Sequence, residues 1–155
     1  TIPDAPSLRL TTGMTLEAWV NPSLVTASDR DVVWKGNTYF LEATSFDGGR
    51  PLAGGIFSGS YGLVFGPSTL PLNTWTHVAT TYDGATLRLF VNGAQVTSAA
   101  QTGTIESSST PLQIGGNALF GQYSSGRIDE VRVYDTALTQ AQIQADLNTP
   151  IGSGP

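Results

Sequence analysis

Residues 75–96 read WTHVATTYDGATLRLFVNGAQV and carry the strongest structural signal in the chain. Two dipeptides within this stretch, Asp83-Gly84 and Asn92-Gly93, favour the positive φ angles of two-residue hairpin turns. Between them, residues 87–91 alternate apolar and other side chains in the period of a strand with one buried face. The stretch therefore predicts an antiparallel meander joined by two tight turns.

Seven further runs have the composition of short strands and are bounded by turn-forming residues. They are TLEAWVNP (15–22), DVVWKG (31–36), YFLEAT (39–44), GGIFSG (54–59), YGLVFG (61–66), PLQIGG (111–116) and GRIDEVRVY (126–134). The period becomes helical only in LTQAQIQADLN, residues 138–148, where Thr139 and Gln142 form a capping-box pattern. The sequence therefore predicts an all-β sandwich of two antiparallel sheets with one short C-terminal helix.

The composition excludes several classes of protein. The chain has 155 residues, a formal net charge of −5, seven Lys and Arg against twelve Asp and Glu, and no cysteine. This balance offers no basic surface for nucleic acid, and no apolar run approaches the roughly 20 residues of a membrane span. A disulfide and a thiol nucleophile are excluded, and one histidine cannot build a histidine-based zinc site. We expect a secreted or cell-surface protein without nucleic-acid partners or membrane insertion.

The two ends of the chain differ in composition from its middle. Thr1-Ile2-Pro3 has the character of the end of a strand, so we expect a truncated first strand. NTPIGSGP, residues 148–155, carries two Pro and two Gly and is typical of a linker. We predict one domain over residues 1–148, a linker tail over residues 149–155, and flanking domains in the same polypeptide.

Four of these motifs occur in an order that is similar to a known family. They are TLEAWVNP, WTHVATTYDGATLRLFVNGAQV, PLQIGG and GRIDEVRVYDTALTQAQI. Residues 2–148 thereby resemble the laminin-G-like jelly rolls of the concanavalin A-like lectin/glucanase superfamily, most closely bacterial modules of secreted proteins, and share features with pentraxins. The resemblance implies a jelly roll of two curved antiparallel sheets. Because this fold hosts binding modules, spacers and hydrolases, function has to be argued from the site.

Catalytic residues are not expected. The resemblance implies that a glucanase of this superfamily would carry two Glu around an Asp on one strand face, where acid and nucleophile can flank a glycosidic bond. The nearest fragment here spans residues 127–131, and Arg127 occupies the place of the leading Glu. His77, within the WTH motif, is expected to be a hydrogen-bonded structural residue. We therefore predict that the chain is not an enzyme, with glycoside hydrolysis as an unlikely alternative on these residues.

One structural Ca²⁺ is a further expectation. The resemblance implies a calcium site built from the Asp of an I-D-E strand and an N-terminal segment, and Asp129 matches that Asp. Hard cations need several oxygen ligands, and Asp29, Asp31 and Asp47 lie in loops that could assist. Loop aspartates more often form local turns, and Asp129 could equally pair with Arg132. Asp129 is the predicted metal ligand.

Carbohydrate binding is the main functional hypothesis. Sugar sites combine an aromatic platform with hydrogen-bonding amides and carboxylates. Trp34 stands beside Lys35 on a strand and need not face the core, and Tyr123 lies in a polar loop. The predicted ligand-binding residues are Trp34, Tyr61, Asn117, Phe120 and Tyr123. Further candidates are Phe57, Asn37 and Gln122, whereas the residues assigned to the core are Trp19, Trp75, Tyr82 and Phe90.

The sequence thus favours a non-catalytic, lectin-like module of a larger protein, with a polysaccharide or glycan as its partner. The alternative is a structural spacer or a protein-binding adhesion module without affinity for glycans. A glycan-binding module should have a groove with an aromatic floor, whereas a protein-binding one should show a contiguous exposed apolar patch.

Overall fold

The computed structural model describes residues 1–152, and in them ten strands form two five-stranded antiparallel sheets. The strands are β1 (Met14–Pro22), β2 (Arg30–Lys35), β3 (Tyr39–Thr44), β4 (Leu52–Phe57), β5 (Ser60–Phe65), β6 (Thr76–Tyr82), β7 (Thr86–Val91), β8 (Ala94–Ala100), β9 (Gln113–Ile114) and β10 (Gly126–Tyr134). Sheet I has the order β10-β1-β6-β7-β8, and sheet II has the order β5-β4-β3-β2-β9. The predicted all-β, two-sheet antiparallel sandwich is confirmed.

One of the two predicted hairpin turns has the expected geometry. Asn92 and Gly93 both have positive φ and join β7 directly to β8. The other turn is longer than predicted, because Asp83 uses its side chain: Oδ1 accepts hydrogen bonds from the backbone N–H groups of Ala85 and Thr86, at 3.0 and 2.8 Å. This side-chain-bonded turn leaves only Gly84 with positive φ.

A single α-helix, α1 (Gln140–Leu147), covers the outer face of sheet I. Thr139 and Gln142 form the predicted capping box, which satisfies backbone N–H groups at the start of the helix. Ile143 is fully buried against Ala79 and Phe90. The predicted C-terminal helix is confirmed. The contact of Ile143 with Ala79 and Phe90 shows that the helix packs on sheet I.

The main core lies between the two sheets. Phe57 and Tyr82 meet there with ring centroids 4.5 Å apart, so Phe57 belongs to the core and not to a ligand-binding loop. Tyr82 and Phe90 are buried, as predicted. Trp75 is 40% exposed, so its assignment to the core was wrong: it precedes β6, and burial begins only at Thr76. Trp19 is half-buried.

Sheet II has a second apolar layer on its outer face, opposite the main core. Along β3, Leu41 points into the main core, so its neighbours Phe40 and Glu42 point outward. Phe40 pairs with Trp34 of β2, and Glu42 pairs with Asp31 of the same strand. No described helix covers this face, in contrast to the outer face of sheet I.

The chain ends make few regular contacts. Ile2 forms a bridge with Leu112, and Pro6–Leu8 form one 3-10 turn, but β1 begins only at Met14. In the predicted linker, the backbone N–H of Ile151 donates to Glu130 Oε2 at 2.5 Å. Residues 153–155 of that linker lie outside the described residues, and the predicted domain limits stay predictions.

We expect Gly54→Ala to destabilise the protein by about 1–3 kcal/mol, because it overpacks the outer layer of sheet II. A Cβ atom at Gly54 would lie 2.6 Å from Leu63 Cδ2 and 3.1 Å from Phe40 Cζ, and would also press on the carbonyl of Gly62. Denaturant titration would measure the free energy of unfolding, with Ser60→Ala on the exposed part of the same hairpin as the control. Equal stability of the two variants would contradict this packing.

Candidate functional site

A cavity of about 260 Å³ lies on the outer face of sheet II. Strands β2 to β5 supply its floor, and four connecting segments supply its rim. Its lining residues are Asp29, Trp34, Asn37, Phe40, Glu42, Phe46, Leu52, Tyr61, Leu63, Phe120 and Gln122. The lining therefore combines aromatic rings, two carboxylates and two amides on the face that no helix covers.

The aromatic part of the cavity consists of a fixed floor and exposed rims. Trp34 is only 3% exposed, and its Nε1 donates a hydrogen bond to Asn37 Oδ1 at 2.8 Å. Phe120 meets the Trp34 ring edge-on, with centroids 6.5 Å apart. Phe120 is 55% exposed, and Tyr61 and Phe46 are both 60% exposed. The rims thus offer apolar ring surface to a ligand above a floor that is already packed.

The loop formed by residues 117–122 carries Phe120 and Gln122 to the cavity, and the buried Asn117 side chain organises it. Asn117 Nδ2 donates to Gln122 Oε1 at 2.6 Å and to the carboxylate of Asp31. Asn117 Oδ1 accepts from the backbone N–H of Phe120 at 2.7 Å. Asn117 is fully buried and does not line the cavity. Its amide holds the loop against β2 instead of facing the space that a ligand would occupy.

Three carboxyl groups meet beside the cavity floor, and we call Asp29, Asp31 and Glu42 the acid cluster. Asp29 Oδ1 accepts from the backbone N–H of Phe46 at 2.7 Å, and Oδ2 accepts from Gln122 Nε2 at 3.1 Å. Asp31 is fully buried and Glu42 is 5% exposed, and Asp31 Oδ1 and Glu42 Oε2 have no hydrogen-bond partner among the described residues. The cluster is thus only partly satisfied by the protein.

Burial and mutual repulsion raise the pKa values of this cluster. Burial, followed by the charges of Asp29 and Asp31 and a hydrogen bond between the Glu42 and Asp29 carboxyl groups, raises the pKa of Glu42 to about 9. Burial also raises the pKa of Asp31 to about 7; the hydrogen bond from Asn117 opposes this shift, and the charge of Asp29 adds to it. The protein therefore holds Glu42 protonated at neutral pH when nothing cationic is bound.

A second buried polar group lies in sheet I, away from the cavity. His77 is fully buried, meets Trp19 edge-on with ring centroids 5.5 Å apart, and has its Nε2 3.8 Å from Glu17 Oε2. Burial lowers the pKa of His77 to about 4 and raises the pKa of Glu17 to about 8. Neither ring nitrogen of His77 has a hydrogen-bond partner among residues 1–152. His77 is a packed, neutral residue of sheet I and does not line the cavity.

The structure brings together three of the five predicted ligand-binding residues. Trp34, Tyr61 and Phe120 line the cavity. Tyr123 is 54% exposed but lies outside the lining, and its backbone carbonyl accepts a hydrogen bond from Arg30. The fifth, Asn117, anchors the 117–122 loop from behind.

Sequence reasoning missed Glu42, Phe40 and Phe46 as members of the site. The signal for Glu42 is its position in YFLEAT, where it lies on the same strand face as Phe40 and on the face opposite to Leu41. A carboxylate and an aromatic ring on one face of an otherwise apolar strand indicate that this face is not ordinary core. Phe46 follows β3 in a loop, and nothing in the local sequence distinguishes it.

Asp129, the predicted metal ligand, lies apart from other acidic clusters in the described chain. Asp129 is exposed, and its Oδ1 accepts from the backbone N–H of Glu130 at 2.9 Å. Arg132 pairs with Glu130 at 3.2 Å and with Glu17 at 3.8 Å, and no ion pair with Asp129 is formed. Nowhere in residues 1–152 do three or more His, Asp or Glu side chains converge closely enough to hold a metal. A structural Ca²⁺ stays a prediction that this geometry does not support.

Comparison with known families and proteins identifies the fold. The model of the Concanavalin A-like lectin/glucanases superfamily, Laminin_G_3, matches residues 1–144. Pappalysin-1 of Mus musculus is 42% identical over 80 residues, which are 48% of this chain and 5% of that protein, and pappalysin-1 of Homo sapiens gives the same figures. The match thus spans a small part of these curated relatives.

Solved structures with the same fold include two bacterial ones. Domain 4 of AbnA, a GH43 extracellular arabinanase from Geobacillus stearothermophilus solved with arabinotriose, has a TM-score of 0.74 and 22% identity, covering 94% of this chain and 70% of that one. A candidate carbohydrate binding protein from Bacteroides ovatus has a TM-score of 0.75 and 22% identity, covering 92% and 43%. A heptameric SAP-like pentraxin from Limulus polyphemus has a TM-score of 0.61 and 17% identity, covering 93% and 78%. Within the part of this chain that is described, no helix is long and apolar enough to cross a membrane.

We expect Asn117→Ala to destabilise the protein by about 2–3 kcal/mol, because it removes the partners of Gln122, of the Asp31 carboxylate and of the Phe120 N–H in a buried position. Denaturant unfolding would measure this loss. Asn148→Ala serves as the control, since Asn148 is exposed and its side chain donates one hydrogen bond. A loss no larger than that of the control would contradict the anchoring role.

We expect Glu42→Gln to flatten the decline of stability with pH. Folded Glu42 keeps its proton up to a pKa of about 9, whereas the unfolded chain releases it near the ordinary value of 4.5. The stability that Glu42 contributes is therefore greatest at acid pH and falls as the pH rises towards 9, by at most about 1.4 kcal/mol per pH unit.

Unfolding measured between pH 6.5 and 8.5 would test this. His77 has the opposite effect on stability, but only below that window, because the stability it contributes is lost as the pH falls from 6.5 towards 4. Glu106→Gln, the same change at an exposed position, is the control. Parallel stability curves for wild type and Glu42→Gln would show that Glu42 is ionised in the folded protein.

Proposed function

The chain belongs to the Concanavalin A-like lectin/glucanases superfamily, and on that premise we propose that it is a non-catalytic carbohydrate-binding module. Its ligand is an oligosaccharide, or a segment of a polysaccharide, that occupies the cavity on the outer face of sheet II. Any reaction on that polysaccharide belongs to another domain or another protein.

The observation that carries this proposal is the mixed lining of the cavity. Sugars present C–H faces that pack on aromatic rings and hydroxyl groups that bond to amides and carboxylates. Tyr61 and Phe120 supply exposed rings, and Asn37 and Gln122 supply amides. Tyr61 lies on β5 and Phe120 beside β2, three strand spacings or roughly 14 Å apart, which leaves room for a short chain of sugar rings.

The placement of the other carboxylates supports a non-catalytic role. The strand that resembles the acid-bearing strand of glucanases is β10, which belongs to sheet I, and none of its residues lines the cavity. Arg127 stands on it where the leading Glu would be. A hydrolase would therefore have to use Asp29 and Glu42, and release of reducing ends from a bound oligosaccharide would reveal it.

Fold-level analogy adds to this hypothesis and also suggests where the protein works. A domain of the same fold, from an extracellular arabinanase, was solved in complex with arabinotriose. The composition is compatible with a secreted or cell-surface module: the chain has seven Lys and Arg, twelve Asp and Glu, and no cysteine. The alternative of a protein-binding module predicts a contiguous exposed apolar patch, whereas a glycan-binding module predicts a groove with an aromatic floor. The exposed rings of Phe46, Tyr61 and Phe120 line a cavity whose floor includes Trp34, which supports the glycan-binding alternative.

We expect Phe120→Ala to weaken oligosaccharide binding about tenfold, equivalent to about 1.4 kcal/mol, through loss of ring contact. Isothermal titration calorimetry with a panel of soluble oligosaccharides that includes arabinotriose would measure the affinity. Leu119→Ala is the matched control, because Leu119 is 68% exposed in the same loop but does not line the cavity. Tyr61→Ala should weaken oligosaccharide binding about as much as Phe120→Ala, whereas Tyr123→Ala should bind about as tightly as Leu119→Ala.

Three results would contradict the proposal. Absence of binding across the panel would favour a spacer or protein-binding module. Binding that Tyr123→Ala abolishes and Phe120→Ala leaves intact would place the site outside the cavity. Release of new reducing ends from the bound oligosaccharide, lost in Glu42→Gln, would make the protein a hydrolase.

A further inference from the structure

The acid cluster beside the cavity has negative groups without any cation to match them. None of the ion pairs within residues 1–152 includes Asp29, Asp31 or Glu42. Glu42 is only 5% exposed and lines the cavity. Its Oε2 accepts no hydrogen bond from a donor among the described residues. A carboxyl oxygen that is buried without a donor, on a side chain that lines a cavity, is costly unless a proton or a ligand supplies the missing donor.

The cations of neighbouring elements are engaged elsewhere. Lys35 Nζ donates to Asp4 Oδ1 at 2.7 Å and to the Ser108 carbonyl at 2.8 Å. Arg30 bonds to the Tyr123 carbonyl and lines a separate small cavity. These side chains are held by their own partners and leave the acid cluster without a cationic partner.

Arg50 lies in the same β3–β4 connection as the rim residue Phe46, and its partners are also known. It forms an ion pair with Asp47 and lies over the Phe65 ring, 5.7 Å from the centroid. It does not line the cavity. The groups that face Glu42 from β2 and from the loop before it are therefore acidic, namely Asp31 and Asp29.

The shape of the site favours an organic cation over a metal ion. The acid cluster does not bring three carboxylates around one point within metal-ligand reach in the described chain. Aromatic rings from β2, β5 and two loops surround the carboxylates instead, and ring faces attract ammonium groups. A cavity of about 260 Å³ also offers far more room than a bare ion would fill.

We propose, on the basis of the carbohydrate-binding function above, that the preferred ligand is an amino sugar with an unsubstituted, protonated amine, and that this ammonium group binds against Glu42 and Asp29. The ammonium donates hydrogen bonds to the carboxyl groups of Glu42 and Asp29, which both line the cavity, and the aromatic rims pack on the sugar rings. Selection follows from charge: a neutral or N-acetylated sugar leaves the acid cluster unpaired.

Binding of this ligand is linked to a proton. Free Glu42 keeps its proton at neutral pH because burial and the charges of Asp29 and Asp31 raise its pKa. An ammonium group nearby favours the carboxylate form, so complex formation releases the Glu42 proton to the buffer. A neutral sugar causes no such release, and this provides a second readout that simple packing would not give.

Calorimetric titration at pH 7.0 would test the proposal with two ligands that differ only at nitrogen, a β-1,4-linked glucosamine tetramer and the N-acetylglucosamine tetramer. We expect the free-amine tetramer to bind at least about tenfold more tightly. Glu42→Gln should remove that preference, Asp29→Asn should reduce it, and Glu106→Gln, the same change at an exposed residue outside the lining, should preserve it. Titration in two buffers of different ionisation enthalpy should show proton release for the free-amine tetramer with wild type and with Glu106→Gln, but not with Glu42→Gln.

The outcomes separate this inference from the function on which it rests. Equal affinity for the two tetramers, or tight binding of arabinotriose and of neither tetramer, would overturn the amine preference and leave carbohydrate binding intact. Failure of every saccharide would overturn both. Binding of Ca²⁺ alone that Glu42→Gln abolishes would assign the acid cluster to a metal and overturn the inference. Circular dichroism of each variant would confirm folding, and the two substitutions in the cluster provide independent tests.

Discussion

The hydrogen bonds of the buried Asn117 side chain turn one open sheet face into a cavity. They join the 117–122 loop to Asp31 on β2 and set the backbone from which Phe120 projects. Without a helix on this side, sheet II would present Trp34 and Phe40 on a flat face. The loop supplies the missing wall, so the apolar layer becomes the floor of a concave site. The same fold covers its other outer face with α1, and the cavity beside that helix has Phe90 as its aromatic lining residue.

The acid cluster is the part of this arrangement that is difficult to explain by stability. Burying Asp31 and Glu42 beside each other raises both pKa values and leaves carboxyl oxygens without partners. Buried polar groups in this state oppose folding, above all at alkaline pH. Such a cost is common at binding sites, where a ligand completes the contacts that the free protein lacks. Acidic groups without a cationic partner and aromatic rings line the same cavity, so the packing of sheet II determines which ligands can bind there.

Much of the fold could be predicted from the sequence, because strand period and turn chemistry are local. Tyr39–Thr44 and Gly126–Tyr134 begin and end where their patterns indicate. The limits of β9 could not be predicted from the sequence, because two glycines with positive φ, Gly115 and Gly116, end the strand after two residues. The aromatic rims of the site were partly predictable from loop composition, whereas the roles of Asn117 and Glu42 come from contacts between separate segments. Asn117 bonds to Asp31, 86 residues earlier in the chain, and Glu42 lies beside Asp31 and Asp29.

Proton NMR of the indole N–H groups would test the central claim most directly. The three tryptophans are distributed favourably: Trp34 lies in the cavity floor with its Nε1 bonded to Asn37, whereas Trp19 and Trp75 do not line the cavity. During titration with a binding oligosaccharide, the account predicts that the Trp34 indole resonance shifts and that those of Trp19 and Trp75 stay in place. A shift confined to Trp19 or Trp75 would place the carbohydrate elsewhere on the protein and contradict the account.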